Sequence, residues 1–330
     1  MNEDALIAAI AEIVAPTLRA SGVRAGIGDD AAVWQPSRSN RSVVTTDALV
    51  EDVHFRRAWM TMREIGGRAM EANLSDLAAM GARPVLATVA IGLPHAIAQD
   101  DVLELYRGIA ASALRAKCAI AGGDTTAAPM LTIAVTAIGE VRQTNLKSRA
   151  GAKAGDAIAC TGRLGSSRAG LAHLRGDAAL EGEHRDWAVR AYKAPQARLR
   201  EGRWLAASSN VHAMMDLSDG LSTDLNRLCA ASGLGATLAD LPVCDAAADA
   251  AAAIGTSAAA FALAGGEEYE LLAAVDGKAY AHLAARFLAR FGRELYRIGT
   301  FRSGAGIVLR AADGTESPVV RTGWDSLESQ

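Results

Sequence analysis

Six aspartates stand where helices and strands are expected to end: Asp30, Asp47, Asp76, Asp124, Asp216 and Asp219. Side chains at such positions can converge on a cleft. Their neighbours are small. Gly122-Gly123-Asp124-Thr125-Thr126 and Asp216-Leu217-Ser218-Asp219-Gly220 join carboxylates to hydroxyls and bare backbone. Oxygen donors of this kind suit hard cations, especially magnesium bridging phosphates, and do not suit zinc, iron or copper. Asp76 is the sharpest case. It falls late in a predicted helix, where the macrodipole disfavours a carboxylate, within the otherwise apolar stretch Leu74–Met80. A charge there calls for a cation partner. The helix expected after Asp216 also offers the N–H groups of its first turn to a phosphate. Singly, each aspartate reads as a cap, a turn residue or a solvated charge; the set is what points to metal and phosphate.

Other phosphate motifs do not hold. Gly26-x-Gly28-x-x-Ala31 matches the dinucleotide fingerprint in letters. That fingerprint needs a strand before it and a helix after it, whereas here a helix is expected before and a strand after. Asp29 and Asp30 in the same loop would also repel a pyrophosphate. No GxxxxGK[ST] loop and no protein-kinase HRD/DFG set is present. No His/Asp or Ser/His pairing suggests a strong general base. A phosphate acceptor would need none, being largely ionised near neutral pH. Bringing it to a nucleotide triphosphate joins two polyanions, and divalent ions relieve that repulsion.

The elements that must position these residues follow from pattern. Residues 4–20 read as an amphipathic helix that Pro16 bends or shortens. Ala31–Trp34 and Ser42–Asp47 read as strands. Thr61-x-x-Glu64 is a capping box opening a helix to about Met80, with Gly81 as its C′ residue and Pro84 just beyond. Pro84–Leu93 is a strand. Asp100–Lys117 is a helix, with Val102, Leu105, Tyr106, Ile109, Ala113 and Leu114 facing inward. Ala119–Ala121 is a short strand stopping at Gly122. Leu131–Val141 alternates as a half-buried strand. Ala157–Cys160 and Ala213–Asp216 read as strands, and Ser167–Leu174 and Leu221 to about Gly233 as helices. The alanine-rich 244–264 reads as helix or loop without chemical content.

The 330 residues favour two domains, split where the basic, glycine-containing segment 142–155 interrupts the pattern: 1–142 and 143–330. Half the residues are hydrophobic and the net charge is −3, which argues against nucleic acid as a partner. No apolar run reaches the length of a membrane span. The N-terminus has no basic n-region. The four cysteines are widely spaced with no CxxC, as expected of reduced thiols in a cytoplasmic protein.

At these motifs the chain resembles the thiamine-monophosphate kinase family, of the superfamily that also holds aminoimidazole ribonucleotide synthetase and selenophosphate synthetase. The matching segments are GIGDDAAV (26–33), TTDALVEDVHF (45–55), NLSDLAAMGARP (73–84), GGDTT (122–126), SRAGAKAGD (148–156), TGRLGSSRAGL (161–171), DLSDGLSTDL (216–225), GGEEYELL (265–272) and GW (323–324). The resemblance implies an α/β (α+β) two-domain fold of the aminoimidazole ribonucleotide synthetase type. It also implies a homodimer, with strands of the N-terminal domain forming a shared β-barrel and the nucleotide in a cleft completed by the C-terminal domain. It assigns Asp30, Thr46, Asp47, Asp76, Asp124, Asp216 and Asp219 to magnesium, with Asp47, Asp124 and Asp219 as the catalytic carboxylates. Gly123, Asp124, Arg149, Ser218 and Tyr106 are assigned to ATP, and His54, Glu267 and Trp324 to thiamine monophosphate. The implied reaction is in-line transfer from ATP to thiamine monophosphate, assisted by several magnesium ions.

Plainer readings stand beside these. His54 reads as a packed histidine, Trp324 as a terminal docking residue, Glu267 as turn chemistry and Arg149 as a solvated charge. The chain also departs from the family pattern. Ala127 and Ala128 stand where Arg-Gly is usual, Glu268 replaces an aspartate, Ser166 replaces an aspartate, and Asp52 replaces a glycine. None removes an assigned magnesium ligand, but several fall near the expected acceptor. Two alternatives therefore accompany the leading reading. One is a paralogue with the same magnesium–ATP site acting on another small phosphate, amine or amide. The other is a non-catalytic nucleotide-binding dimer.

Overall fold

The computed structural model describes residues 2–18, 22–27 and 31–323. The chain divides into two units, Met1–Leu77 with Ala82–Thr144, and Ala78–Gly81 with Asn145–Gln330.

The first unit runs α1 (Glu3–Leu18), β1 (Val23–Ala25), β2 (Val33–Trp34), β3 (Asn40–Val50), α2 (Met62–Ala79), β4 (Arg83–Leu93), α3 (Gln99–Ala116), β5 (Ala119–Ala127) and β6 (Thr132–Arg142). The end of α2, from Ala78, belongs with the second unit. Its start is the expected capping box: Thr61 N–H donates to Glu64 Oε2 at 2.8 Å, and Glu64 N–H donates to Thr61 Oγ1 at 3.2 Å. At the other end Gly81 takes φ +70°, and Ala82 N–H closes onto Leu77 O at 2.8 Å. An L-residue is strained at that φ, which is why glycine follows the helix. In α1 the buried residues are Leu6, Ile10, Val14 and Thr17, and the helix continues through Pro16. Thr17 Oγ1 accepts Ile120 N–H at 2.9 Å, tying α1 to β5.

β3, β6, β4 and β5 form one sheet in that order, with β4 and β5 parallel and the other pairs antiparallel. Paired residues share a face. One face carries the fully buried Ile133, Val135 and Ala137 of β6 and Val89 of β4, and α2 packs on it through Leu77, close to Gly139. The opposite face is partly covered at one end, where Leu86, Ala119 and Ile138 meet Val23 and Trp34. Beyond that, Val44 is 63% exposed.

Three expectations need correction here. β5 does not stop at Gly122 but pairs with β4 as far as Ala127; a Cβ on Gly123 would lie 1.9 Å from Val89 O, so glycine here permits close backbone approach rather than ending the strand. Leu114 is 46% exposed, one step round α3 from the buried stripe. A three-residue strand, β1, precedes Gly26, and β2 follows at Val33–Trp34 where the dinucleotide fingerprint would need a helix.

The second unit runs β7 (Ala157–Cys160), α4 (Ser166–Arg175), α5 (Gly182–Lys193), α6 (Leu199–Ala206), β8 (Val211–Asp216), α7 (Leu221–Ser232), β9 (Gly235–Leu238), α8 (Asp245–Ala253), α9 (Ala258–Leu263), β10 (Leu271–Val275), α10 (Tyr280–Phe291), β11 (Tyr296–Arg302), β12 (Ile307–Arg310) and β13 (Glu316–Pro318). Its seven-stranded sheet has the order β13-β12-β9-β11-β7-β10-β8, with only β12 and β9 parallel. β7, β8 and β10 are almost continuously apolar because helices cover both faces. One face buries Leu221, Leu225 and Leu228 of α7 against Ile158, Met215 and Leu272. The other buries Leu205 of α6 and Leu283 and Phe287 of α10 against Met214 and Ala273, together with Ala78 and Ala79. The alanine-rich 244–264 segment is α8 and α9. Ala246, Ala247, Ala250, Ala251 and Phe261 pack there against Ala169, Ala172 and Ala188 of α4 and α5. All four cysteines are buried free thiols. No described helix is long and apolar enough to cross a membrane.

The closest helix contact in the first unit sets a prediction. A Cβ on Gly108 of α3 would sit 2.0 Å from Arg63 O of α2, and one on Gly66 would sit 2.0 Å from Leu105 O. The obstructing atoms are backbone and cannot rotate away. Gly108→Ala is expected to lower unfolding stability by about 2 kcal/mol through overpacking, read as a lower urea midpoint. An unchanged midpoint would contradict this packing.

Candidate active site

In the first unit the pleat sorts the predicted residues onto two faces. Thr45 and Asp47 share the face that α2 covers, because Asp47 pairs with Val135 and Thr45 with Ala137. Thr45 Oγ1 donates to Asp76 Oδ2 at 2.5 Å, and Asp47 N–H donates to Asn73 Oδ1 at 3.2 Å. Asn73 is completely buried and is steadied in turn by Ala69 O. Asp47 and Asp76 are thus brought to the same edge of β3. Thr46 points to the opposite face, where its hydroxyl donates to Val135 O and accepts from Thr136 Oγ1, each at 3.1 Å.

Asp124 lies on that opposite face, in register with Ala90, and Ala90 with Ala134 and Ala134 with Ala48. With strands about 4.8 Å apart, this places it roughly 14 Å across the sheet from β3. Asp47 and Asp124 were expected at strand ends, converging within one cleft. Both are mid-strand, and within this unit the pleat and the strand order keep them apart. Gly123 neighbours Asp124 and is exposed. Tyr106 is not brought to these residues. It is 4% exposed, in the buried stripe of α3, and burial pushes its phenol upward. His54 sits in the turn after β3, where its Nδ1 accepts Val50 N–H at 3.1 Å, so the neutral ring carries its proton on Nε2. Arg68, 1% exposed, donates to His54 O. Asp30 lies outside the described residues, as does Trp324.

In the second unit the Asp216–Gly220 motif and the Gly265–Glu270 motif are laced together. Leu271 pairs with Asp216; Leu217 N–H then reaches Glu270 O at 2.9 Å, Tyr269 N–H reaches Leu217 O at 2.9 Å, and Glu267 N–H reaches Ser218 O at 2.7 Å. Glu267 and Tyr269 both take positive φ, +60° and +50°. Such strain in non-glycine residues marks a functional loop when the surroundings enforce it. Asp216 is 3% exposed at the end of β8. The C-terminal segment reaches the same loop. Thr322 N–H donates to Ser222 Oγ at 3.2 Å, and a Cβ on Gly323 would lie 2.2 Å from Asp219 O. Arg149 is exposed, and its carbonyl accepts from Ser232 Oγ at 2.9 Å.

Asp224, Arg227 and Glu270, which sequence reasoning did not single out, organise these loops together with Glu268. Asp224, fully buried in the first turn of α7, accepts Asp219 N–H at 2.9 Å and Gly220 N–H at 3.0 Å on Oδ2. Arg227 joins Asp224 at 2.9 Å and also the Asp219 carboxylate. Burial, then the neighbouring Asp219 charge, pushes the Asp224 carboxyl up to about 6. Its signal was an acid in the first turn, with Arg three residues on. Glu270 is buried between Arg198 at 2.6 Å, Arg293 at 2.9 Å and Thr161 Oγ1 at 2.6 Å. Burial raises it, but the two guanidiniums and the hydroxyl outweigh burial and hold it below the usual carboxylate range. Glu268 turns its carboxylate onto the N-terminus of α4, accepting Gly165 N–H at 3.0 Å and Ser167 N–H at 3.2 Å. Ser166, between them, accepts the Trp187 indole N–H at 3.2 Å. The longer Glu268 thus caps the helix at the position where Ser166 departs from the family's aspartate. In the first unit Thr45 was likewise not singled out, and its parity with Asp47 on β3 was the legible sign.

The donor types at these positions suit a hard cation: the Thr45 hydroxyl on the Asp76 carboxylate, Asp47 on the same face of β3, and, in the second unit, the carboxylates of Asp216 and Asp219.

The descriptions of this architecture in known proteins agree. The family model of the AIR synthase related protein N-terminal domain matches residues 28–141, and that of its C-terminal domain matches 153–311. The fold and site therefore define an AIR synthase related protein of two domains. Thiamine-monophosphate kinase of Synechococcus elongatus is 36% identical over 302 residues, covering 88% of each chain. The crystal structure of thiamine-monophosphate kinase from Stenotrophomonas maltophilia K279a superposes with a TM-score of 0.81 at 32% identity, over 93% of this chain and 96% of that one. AaThiL complexed with AMPPCP and TMP gives a TM-score of 0.76 at 28% identity, over 88% of each chain. This chain belongs to the thiamine-monophosphate kinase family.

The enclosed Glu268 makes pH a probe. Burial, then the Glu270 charge, pushes its carboxyl from the ordinary 4.5 up to about 8, against the pull of the α4 amides. A carboxyl raised on folding contributes stability that is complete below its unfolded value and lost as pH rises through its folded one. Between pH 5 and about 8, the thermal midpoint of Glu268→Gln is expected to fall less steeply than that of the unsubstituted protein. Parallel slopes would contradict the placement of this carboxylate.

Proposed function

We propose that this chain transfers the γ-phosphoryl group of ATP to thiamine monophosphate, giving thiamine diphosphate and ADP. The observation that carries the reading is the Asp216–Gly220 loop. It places a buried and a partly exposed carboxylate at the N-terminus of α7, cross-linked to the strained Gly265–Glu270 loop and touched by the segment ending at Gly323. Family membership and the AaThiL complex with AMPPCP and TMP support the choice of nucleotide and acceptor.

In this reading Asp47, Asp76, Asp216 and Asp219, with Thr46, Asp124 and Asp30, hold magnesium. Bound there, magnesium would neutralise phosphate charge and polarise the transferring group. The chain's own residues supply position. Asp224 and Arg227 fix the amides and carboxylate of Asp219. Thr45 and Asn73 fix Asp76 and the Asp47 backbone. Ser218, Gly123 and Arg149 face the nucleotide. His54, Glu267 and Trp324 face the acceptor, whose phosphate attacks in line as an already ionised oxygen, so no side chain need remove a proton first. The exposed face of the four-stranded sheet, with Val44, Ala48 and Ala90 open to solvent, supports a homodimer built on that face. Thr46 and Asp124 would act from there. A cytoplasmic location accords with this chemistry.

Purified protein incubated with magnesium, ATP and thiamine monophosphate is expected to form thiamine diphosphate and ADP in equal amounts, separated by chromatography. Asp219→Asn and Asp47→Asn are expected to lower kcat about 100-fold or more. Binding of nucleotide with no thiamine diphosphate formed would move the acceptor to another small phosphate, amine or amide. Wild-type turnover in both variants would overturn the metal assignments.

A further inference from the structure

A second polar cluster lies at the far end of the second unit's sheet. Asp156 immediately precedes β7, His212 is the second residue of β8, and Asp276 immediately follows β10. β10 lies between β7 and β8, and Val275 pairs with both Ala157 and Val211, so the three strand ends are neighbours. The Asp216 loop is at the other end of β8, four residues or roughly 13 Å along the strand. One oxygen from each carboxylate and one ring nitrogen all lie within 4.8 Å of one another.

The chemistry of the cluster is that of a borderline metal ion. His212 Nδ1 is 2.8 Å from Asp156 Oδ2, and the Asp156 side chain is only 4% exposed. Asp156 Oδ2 also accepts Lys153 N–H at 2.8 Å. Asp276 is oriented by Lys278 N–H and Ala279 N–H, both 3.0 Å from Oδ1. The two loops are in backbone contact, since a Cβ on Gly277 would lie 2.5 Å from Gly155 O. A histidine that only pinned the linker would need Asp156 alone. Here a second carboxylate converges, and a cation is already drawn in: Lys153 Nζ is 3.4 Å from His212 Nε2. With the ring proton on Nε2, the Nδ1 lone pair faces the same side as Asp156 Oδ2, so that one nitrogen and two carboxylate oxygens can meet on one ion. Lys153 reaches the site by a flexible chain and can leave it. A nitrogen with two carboxylate oxygens favours zinc, cobalt, nickel or manganese over magnesium.

We infer that Asp156, His212 and Asp276 form a binding site for a divalent transition-metal ion, separate from the magnesium–nucleotide site, which would clamp the ends of β7, β8 and β10. The test titrates the full-length protein with cobalt chloride in excess magnesium, so that oxygen-ligand sites are occupied, and reads the visible absorption of bound cobalt. One cobalt ion per chain is expected. His212→Ala is expected to abolish the signal, and Asp276→Asn, which leaves the His212–Asp156 bond in place, to weaken binding at least about tenfold. Magnesium-supported turnover is expected to be unchanged in both. No cobalt signal in the unsubstituted protein, or equal binding in Asp276→Asn, would overturn the inference.

Discussion

A β-strand turns alternate side chains to opposite faces, and the placement of every polar residue on the first unit's sheet follows from that. Thr45 and Asp47 go to the face sealed by α2; Thr46 and Ala48 go to the other. The buried face can accept carboxylates only where partners are built in, because an unpaired charge is costly in a packed interior. Thr45 and Asn73 are those partners, and they fix where Asp76 and the Asp47 backbone stand. Asp124, two residues beyond Gly122 on an edge strand, is left on the exposed face. The exposed face that carries Thr46, Ala48 and Asp124 is the one on which the homodimer is proposed.

The second unit solves a related problem with buried ion pairs. Its loops carry several carboxylates close together, where like charges repel and burial disfavours ionisation. Glu270 is kept ionised by two arginines. Asp224 is stabilised by two backbone amides and Arg227, yet remains raised. Glu268, without a cationic partner of its own among the contacts described, is raised furthest. This gradation separates structural acids from those open to a ligand. Asp219 shares Arg227 with Asp224, so its carboxylate is oriented but not enclosed.

Much of this was legible in the sequence, for local reasons. The Thr61–Glu64 capping box, the αL Gly81, the alternating Leu131–Val141 strand and the ends of α7 depend on residues a few positions apart. What was missed depended on partners distant in sequence. Gly122 and Gly123 read as strand breakers until β4 lies beside them. Asp124 read as a strand-end ligand because its face is set by that pairing. Leu114 fits the helical stripe by spacing, but the neighbouring elements do not reach it. Asp224 was hidden within its own motif, since Asp216 and Asp219 drew attention to the strand end rather than to the helix that holds it. Asp30 and Trp324 lie outside the described residues, so their roles rest on the resemblance and the proposal.

The proposal turns on magnesium-dependent nucleotide binding that needs Asp47 and Asp216. Calorimetric titration with AMPPCP, in magnesium and then in EDTA, tests it most directly. The account predicts binding only with magnesium, weakened at least about tenfold by either Asp47→Asn or Asp216→Asn. Equal affinity in EDTA, or unchanged affinity in both variants, would contradict it.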